Sequence, residues 1–230
     1  MRTVLILLCT LFTVSLSAQN SCSTYFPFKE GMTLEYQYYN KKDKLEGTSI
    51  QSVQDVSENG GEITAKVSTQ MTDAKGKESI DGSFTVTCSG GIFEMDMSQM
   101  VPAESMAALG GGDAEMKMSG DGFRLPTDAQ IGQDIPDSEN TIEIKAGVMN
   151  MNMTLNLIDQ KVEARETITT PAGTFDCLRF SYVASTKMSI MKTENRTVNW
   201  YADGVGTVRS ETYNKKGKLQ SYMVLSGFEE

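Results

Sequence analysis

Apolar and polar residues alternate with period two along much of the chain. From Glu62 to Met71, Ile63, Ala65, Val67 and Met71 alternate with Glu62, Thr64, Lys66, Ser68 and Gln70. A cleaner run sets Met149, Met151, Met153, Leu155 and Leu157 against Asn150, Asn152, Thr154 and Asn156. Successive side chains of a strand point to opposite faces, so each run has one apolar and one polar face. A sheet with one wet face is the antiparallel pattern. Glycine-bearing turns separate the runs, at Glu58-Asn59-Gly60-Gly61, Asp73-Ala74-Lys75-Gly76, Ser89-Gly90-Gly91, Thr170-Pro171-Ala172-Gly173 and Asn214-Lys215-Lys216-Gly217. One turn sequence recurs. Tyr39-Asn40-Lys41-Lys42-Asp43-Lys44-Leu45 matches Tyr213-Asn214-Lys215-Lys216-Gly217-Lys218-Leu219, with Asp73-Ala74-Lys75-Gly76-Lys77 a weaker third copy. This predicts a repeated hairpin with a polar tip, and two good copies of so short a segment do not make a solenoid.

One helix is predicted, over residues 98–109. It carries Met100, Val101, Ala103, Met106, Ala107 and Leu109, has Pro102 and Glu104 suited to a first turn, and stops at Gly110-Gly111-Gly112. The triple glycine lacks the surrounding pattern of a phosphate-binding loop and follows a helix instead of opening one. Gly120 to Asn140 is rich in chain breakers and reads as a long ordered loop between two β halves. The expected fold is mostly β: a single curved antiparallel sheet or half-barrel, with the short helix at about 98–109 on or near its concave side. It forms one domain over about 22–230.

Residues 1–18 change the compartment. Arg2, an apolar run from Val4 through Val14, and small residues at Ser15, Ser17 and Ala18 read as a signal peptide cleaved after Ala18. Cys22 follows Gln19-Asn20-Ser21, which lacks the leucine of a lipoprotein box. No second stretch approaches membrane length, so no membrane span is expected. The reading is export to the periplasm or outer envelope of a Gram-negative type cell. The chain carries a net charge of −9, made more negative by loss of Arg2, which disfavours nucleic acid and anionic lipid surfaces as partners.

Candidate chemistry is thin. Histidine is absent, which removes Ser-His and Cys-His nucleophile pairs, imidazole proton shuttles and imidazole metal sites. Of four cysteines, Cys9 leaves with the signal peptide, and Cys22, Cys88 and Cys177 enter an oxidising compartment. A Cys22–Cys88 bridge would tie down an otherwise loose N-terminal segment. Cys177, mid-strand, would then be a buried thiol.

Methionine is the compositional oddity, with 15 in the chain and pairs at i, i+2. Met95, Met97, Met149, Met151, Met153, Leu155 and Leu157 are the candidate lining of an apolar cavity or core, since leucines continue the methionine stripe. A Cu(I) site of thioethers is the alternative. Glu163, Glu166 and Asp176 flank the Thr-Pro-Ala-Gly turn and are the only candidates for carboxylate-only catalysis. Alternation sends Trp200 and Tyr201 to opposite faces, one toward the core and one toward the surface.

Three runs carry a family likeness. Cys22-x-x-Tyr25-Phe26-Pro27-x-Lys29-Glu30-Gly31 with Leu34-Glu35-Tyr36, Thr169 to Cys177, and Trp200-Tyr201-Ala202-x-Gly204-Val205-Gly206 through Leu219 resemble the TapB-like family of secreted bacterial proteins, a domain of unknown function. Residues 95–118 depart most from it. The resemblance implies an envelope location and an all-β fold without assigned catalytic residues; the family's curved sheet is similar to lipoprotein-carrier half-barrels. The expected function is a non-catalytic envelope protein, without cofactor, that binds an apolar small molecule, a lipid or an envelope protein partner on a concave sheet face. A scaffold role is the alternative.

Overall fold

The computed structural model describes residues 22–76, 79–96, 115–146 and 149–229. The predicted helix at 98–109 and Met97 lie outside the described residues. A short 3-10 turn, Cys22–Thr24, is followed by fourteen strands. The first five are β1 (Thr33–Asn40), β2 (Leu45–Asn59), β3 (Glu62–Asp73), β4 (Ser79–Ser89) and β5 (Ile92–Asp96). Next come β6 (Glu115–Gly120), β7 (Phe123–Pro126), β8 (Asp134–Ile135) and β9 (Ser138–Ala146). The last are β10 (Met149–Thr170), β11 (Gly173–Met188), β12 (Met191–Ala202), β13 (Gly206–Asn214) and β14 (Leu219–Glu229).

All belong to one antiparallel sheet, ordered β6-β9-β10-β11-β12-β13-β14-β1-β2-β3-β4-β5-β7, with β8 beside β10. Two meanders, β1 to β5 and β9 to β14, are joined where β1 pairs with β14. The outermost strands, β6 and β7, are consecutive in the chain, with only Asp121 and Gly122 between them. Three Cα steps reach about 11 Å at most, so the sheet curls until its two edges nearly meet. No ladder joins them, and the sheet is not closed into a barrel. Three hydrogen bonds fasten the turn between them to β9, the neighbour of β6. Asp121 N donates to Glu139 O at 3.1 Å, Glu139 N donates to an Asp121 carboxylate oxygen at 3.0 Å, and Gly122 N donates to Asn140 Oδ1 at 2.7 Å. Gly120 is required there, since a Cβ on it would lie 2.2 Å from Glu139 O at a φ of +123°. The stretch predicted as a long loop therefore contains two strands and the start of a third. Its breakers punctuate short strands that complete the curl.

The repeated turn holds to the atom. Lys42 N and Lys44 N donate to Asn40 Oδ1 at 2.9 and 3.3 Å; Lys216 N and Lys218 N donate to Asn214 Oδ1 at 2.9 and 3.1 Å. The asparagine amide mimics a backbone turn, and the left-handed position falls on Asp43 in one copy and Gly217 in the other.

The core lies between the meanders. Val67, Phe84 and Phe93 on one side face Val162, Phe180 and Val208 on the other, all essentially fully buried. What joins them is the N-terminal segment. The Tyr25 ring lies 5.5 Å from Phe93 of β5 and 5.2 Å from Tyr201 of β12, and its hydroxyl donates to Pro126 O at 2.7 Å. Phe26 and Met32 are buried beside it. The Cys22–Cys88 disulfide, with Cα atoms 6.0 Å apart, tethers this plug to β4, and Cys177 is a free, buried thiol. Trp200 and Tyr201 keep opposite faces, but neither is a surface residue: they are 7% and 5% exposed. Tyr201 enters the core. Trp200, on the other face, belongs to the buried hydrophobic cluster too, with its indole N–H donating to Glu166, a burial that alternation alone does not reveal.

Candidate functional site

Strand β10 is long enough to belong to two environments. A positive φ at Asp159 and a shift of register between Ile158 and Lys161 break it into halves. Beyond the bulge, Val162 pairs with Phe180 and lies in the core. Before it, the partner strand shows which way the stripe faces. Phe180, Tyr182, Ala184, Thr186 and Met188 share one face of β11, and the register sets Leu157 against Ala184, Leu155 against Thr186 and Met153 against Met188. The candidate stripe thus continues the core face past the end of the core.

Neighbouring strands widen it. Met118 of β6, Ile142 of β9, Met153 of β10, and Met188 of β11 with Met191 of β12 stand in one cross-strand row. Ile144 and Met151 pair in the next row. Leu157 is buried; Leu155, Met153, Met151, Met118, Ile142 and Ile144 are half-buried. Met188 and Met191 are 41% and 62% exposed, and Ile190 at the hairpin tip is almost fully so. Met149 begins the strand, and its side chain lies outside the described residues. Met95 sits in the other meander, paired with Phe123 and packed against the core. Phe123 lies 5.9 Å from Tyr182, which places Met95 near the inner end of the stripe and not along it. Met118, Ile142, Ile144 and Met188 were absent from the sequence candidates. Alternation at Met116/Met118 and at Ile142/Ile144 is the signal that points to them, but only strand pairing aligns it with Met153.

The opposite face of the same strands is ionic. Glu163 accepts from Arg179 Nε at 2.7 Å, from Ser181 Oγ at 2.6 Å and from Arg196. Glu166 accepts from Arg179 Nη1 at 3.2 Å and from the indole N–H of Trp200 at 2.6 Å. Burial alone would raise the Glu163 carboxyl, but the Ser181 hydrogen bond and the Arg196 and Arg179 charges outweigh it and hold the group below its usual range. An ionised carboxylate with three donors is suited to fastening strands together, not to giving up a proton. Asp176 takes no part in that cluster; with Glu166 it adds to the effect of burial in pushing the Cys177 thiol up to about 11. Alongside, an open groove of about 640 Å³ runs between Val183, Glu194, Arg196, Tyr213 and the Asn214 turn, with Glu194 bridged to Lys192 and Lys215 at 2.7 and 3.2 Å.

Among the described residues, no group of three or more His, Cys, Asp or Glu is placed to hold a metal ion, and no helix is long and apolar enough to cross a membrane. The DUF3108-like family matches residues 29–225. A Bacteroides fragilis protein, whose name calls it exported and gives it a YmcC-like fold, is similar at 25% identity with a TM-score of 0.72, over 91% of this chain and 100% of that one. A Parabacteroides distasonis protein, whose name calls it a lipoprotein, is similar at 24% identity and a TM-score of 0.72, over 90% of this chain and 99% of that one. No curated protein matches the sequence.

Proposed function

We propose that this chain, which belongs to the DUF3108-like family, is an exported, non-catalytic envelope protein that holds the acyl chain of a lipid or a similar apolar molecule on the sheet face beyond its core. One observation carries the reading: the row Met118, Ile142, Met153 and Met188, with Ile144 and Met151 beside it, continues the core face without being enclosed by it. Exposed apolar area on one contiguous face marks a place where something apolar docks. Thioethers suit an occupant of variable shape, because methionine is unbranched, polarisable and able to re-pack. The export reading rests on the signal-like residues 1–18 and on the names of the two similar structures. The Cys22 to Tyr36 opening and the Thr169 to Cys177 run support placing the chain with the TapB-like proteins, as a single domain over 22–230. The test is native mass spectrometry of protein purified from its own envelope, followed by organic extraction. A bound lipid whose retention falls in Met153→Lys is the expected result. Protein that emerges empty and takes up no fatty acid from solution, or that retains a protein partner on this face instead, defeats the lipid reading. A copper adduct lost in Met151→Leu would replace it with a metal-handling one.

A further inference from the structure

Hairpin turns alternate between the two ends of an antiparallel sheet, and here the two ends differ in charge. The turns after β1, β3, β11 and β13 lie at one end; those after β2, β4, β10 and β12 lie at the other. Within two residues of the first set, the described residues include nine lysines, among them Lys42, Lys75, Lys187 and Lys216, against three acids, Asp43, Glu46 and Asp73. Within two residues of the second set stand Glu58, Glu62 and Asp203, with no lysine or arginine. The chain as a whole carries a net charge of −9. Strand pairing thus separates a basic end from an acidic remainder, and the average charge does not describe this end. All nine lysines are exposed. Lys192 and Lys215 share Glu194, and among the described residues the other seven have no carboxylate partner.

One hairpin at this end is built differently. Strands β11 and β12 run four residues past Asn195, the last residue of β12 paired with β13. That is about 13 Å at strand spacing. The turn is Ser189–Ile190, closed by the pair Met188 and Met191. Ile190 is 97% and Met191 62% exposed. The solvated turns of the same end read Asn-Lys-Lys-Asp-Lys and Asn-Lys-Lys-Gly-Lys; an isoleucine in such a place gains nothing from water. One row below, Lys187 and Lys192 are directly opposite each other, a like-charge pair that weakens a hairpin. A single exposed apolar residue is ordinary. Here three stand at one tip, with lysines behind them.

We infer that this end of the sheet docks on an anionic lipid surface, the Met188–Met191 tip entering the acyl boundary and the lysine turns resting on headgroup phosphates. Apolar faces of surface-bound segments sit about 5–10 Å deep. A tip that outreaches Asn214 by about 13 Å therefore leaves the lysines of 215–218 at headgroup level. An acidic protein fits this end less well. Protein interfaces are enriched in arginine and depleted in lysine, and these turns hold lysine without arginine. Lysine is a point charge on a flexible stem, which suits a fluid array of phosphates. The inference goes beyond the acyl-chain reading of the methionine row, since a surface can be docked without a lipid being withdrawn from it.

Flotation of the full exported chain with vesicles tests it, using phosphatidylethanolamine with phosphatidylglycerol in one set and phosphatidylcholine alone in the other. The chain should float with the anionic vesicles at low salt, stay behind with the neutral ones, and be released by about 0.5 M salt. Lys216→Gln with Lys218→Gln should weaken binding about tenfold or more, and Ile190→Ser about tenfold. These side chains are exposed, so circular dichroism should not change. A polarity-sensitive fluorophore attached through Ile190→Cys, with Cys177 buried and unlabelled, should shift to the blue on anionic vesicles and be quenched by brominated acyl chains. The inference is overturned if anionic vesicles are not bound, if phosphatidylcholine is bound equally well, or if binding survives both sets of substitutions. It is also overturned if the label at 190 answers to an acidic envelope protein and not to vesicles. Protein that leaves its envelope empty yet binds these vesicles would lose the lipid-holding reading and keep this one.

Discussion

Beyond Asp159, strand β10 runs through the body of the protein, where Val162 is 1% exposed, pairs with Phe180, and is enclosed by the opposite meander and the N-terminal plug. Before Asp159, the same strand forms an arm with β6, β9 and the hairpin of β11 and β12, and its apolar side chains, with the same alternation, stay half-exposed. The two ends differ in what faces them, not in hydrophobicity. Apolar area stabilises a fold in proportion to what is removed from water, so the body's residues contribute more to stability than the arm's.

The largest test of that distinction is a pair of truncations. Phe180→Ala should cost about 3–5 kcal/mol and Met153→Ala less than about 1 kcal/mol, because only the first leaves a cavity that cannot collapse. Urea unfolding followed by Trp200, the only tryptophan in the chain, measures both. Equal losses would mean that the arm is as much core as the body.

Removing the tether comes next. Cys22→Ser with Cys88→Ser opens a loop with a sequence separation of 66 and should cost about 4 kcal/mol by chain entropy. Hydrogen exchange should quicken in β4, β5 and β12, which the plug contacts, and stay unchanged in β6 and β9. In the unreduced wild type, alkylation should fail on the native protein and mark one cysteine after unfolding, Cys177.

On the ionic face, Glu163→Gln should cost about 1–3 kcal/mol, since it removes the charge shared by the Arg179 and Arg196 guanidiniums and turns one acceptor oxygen into a donor. The sign with pH follows from a carboxyl held below its unfolded value. Its contribution is present above the usual glutamate range and is lost as pH falls through that range toward the folded value. Wild type and Glu163→Gln should therefore converge in stability as the solution is acidified. A constant gap from neutral to acid pH would show that the charge is not what matters.

The smallest effect is chemical. Dilute peroxide should oxidise Met191, Met188 and Met153 well before Met32, which is 2% exposed in the body. Peptide mass mapping gives the order, and a bound apolar ligand should slow the arm residues only.

Much of the fold was legible in the chain. The alternation at Ala65, Val67 and Thr69 is the buried face of β3, and the Asn40 and Asn214 echoes are the same turn because one side-chain oxygen organises both. Short apolar stretches among breakers were not. Phe123–Pro126 and Asp134–Ile135 are too brief to show a period, and they become strands only because a neighbouring edge supplies their hydrogen bonds. The methionine stripe was legible as a face, but Met95 was grouped with it although the fold sends it to the other meander.

What the sequence by itself determined is local: which side chains share a strand face, where the turns fall, and which chemistries are missing with histidine. Those properties depend on neighbours a few residues apart or on composition alone. Only the tertiary structure decided that β6 and β7 bring the two sheet edges together, that the N-terminal segment fills the body, that the arm extends beyond it, and that the lysine turns share one end of the sheet. Each of these depends on residues far apart in the chain, and alternation says which face a side chain is on without saying what that face will meet.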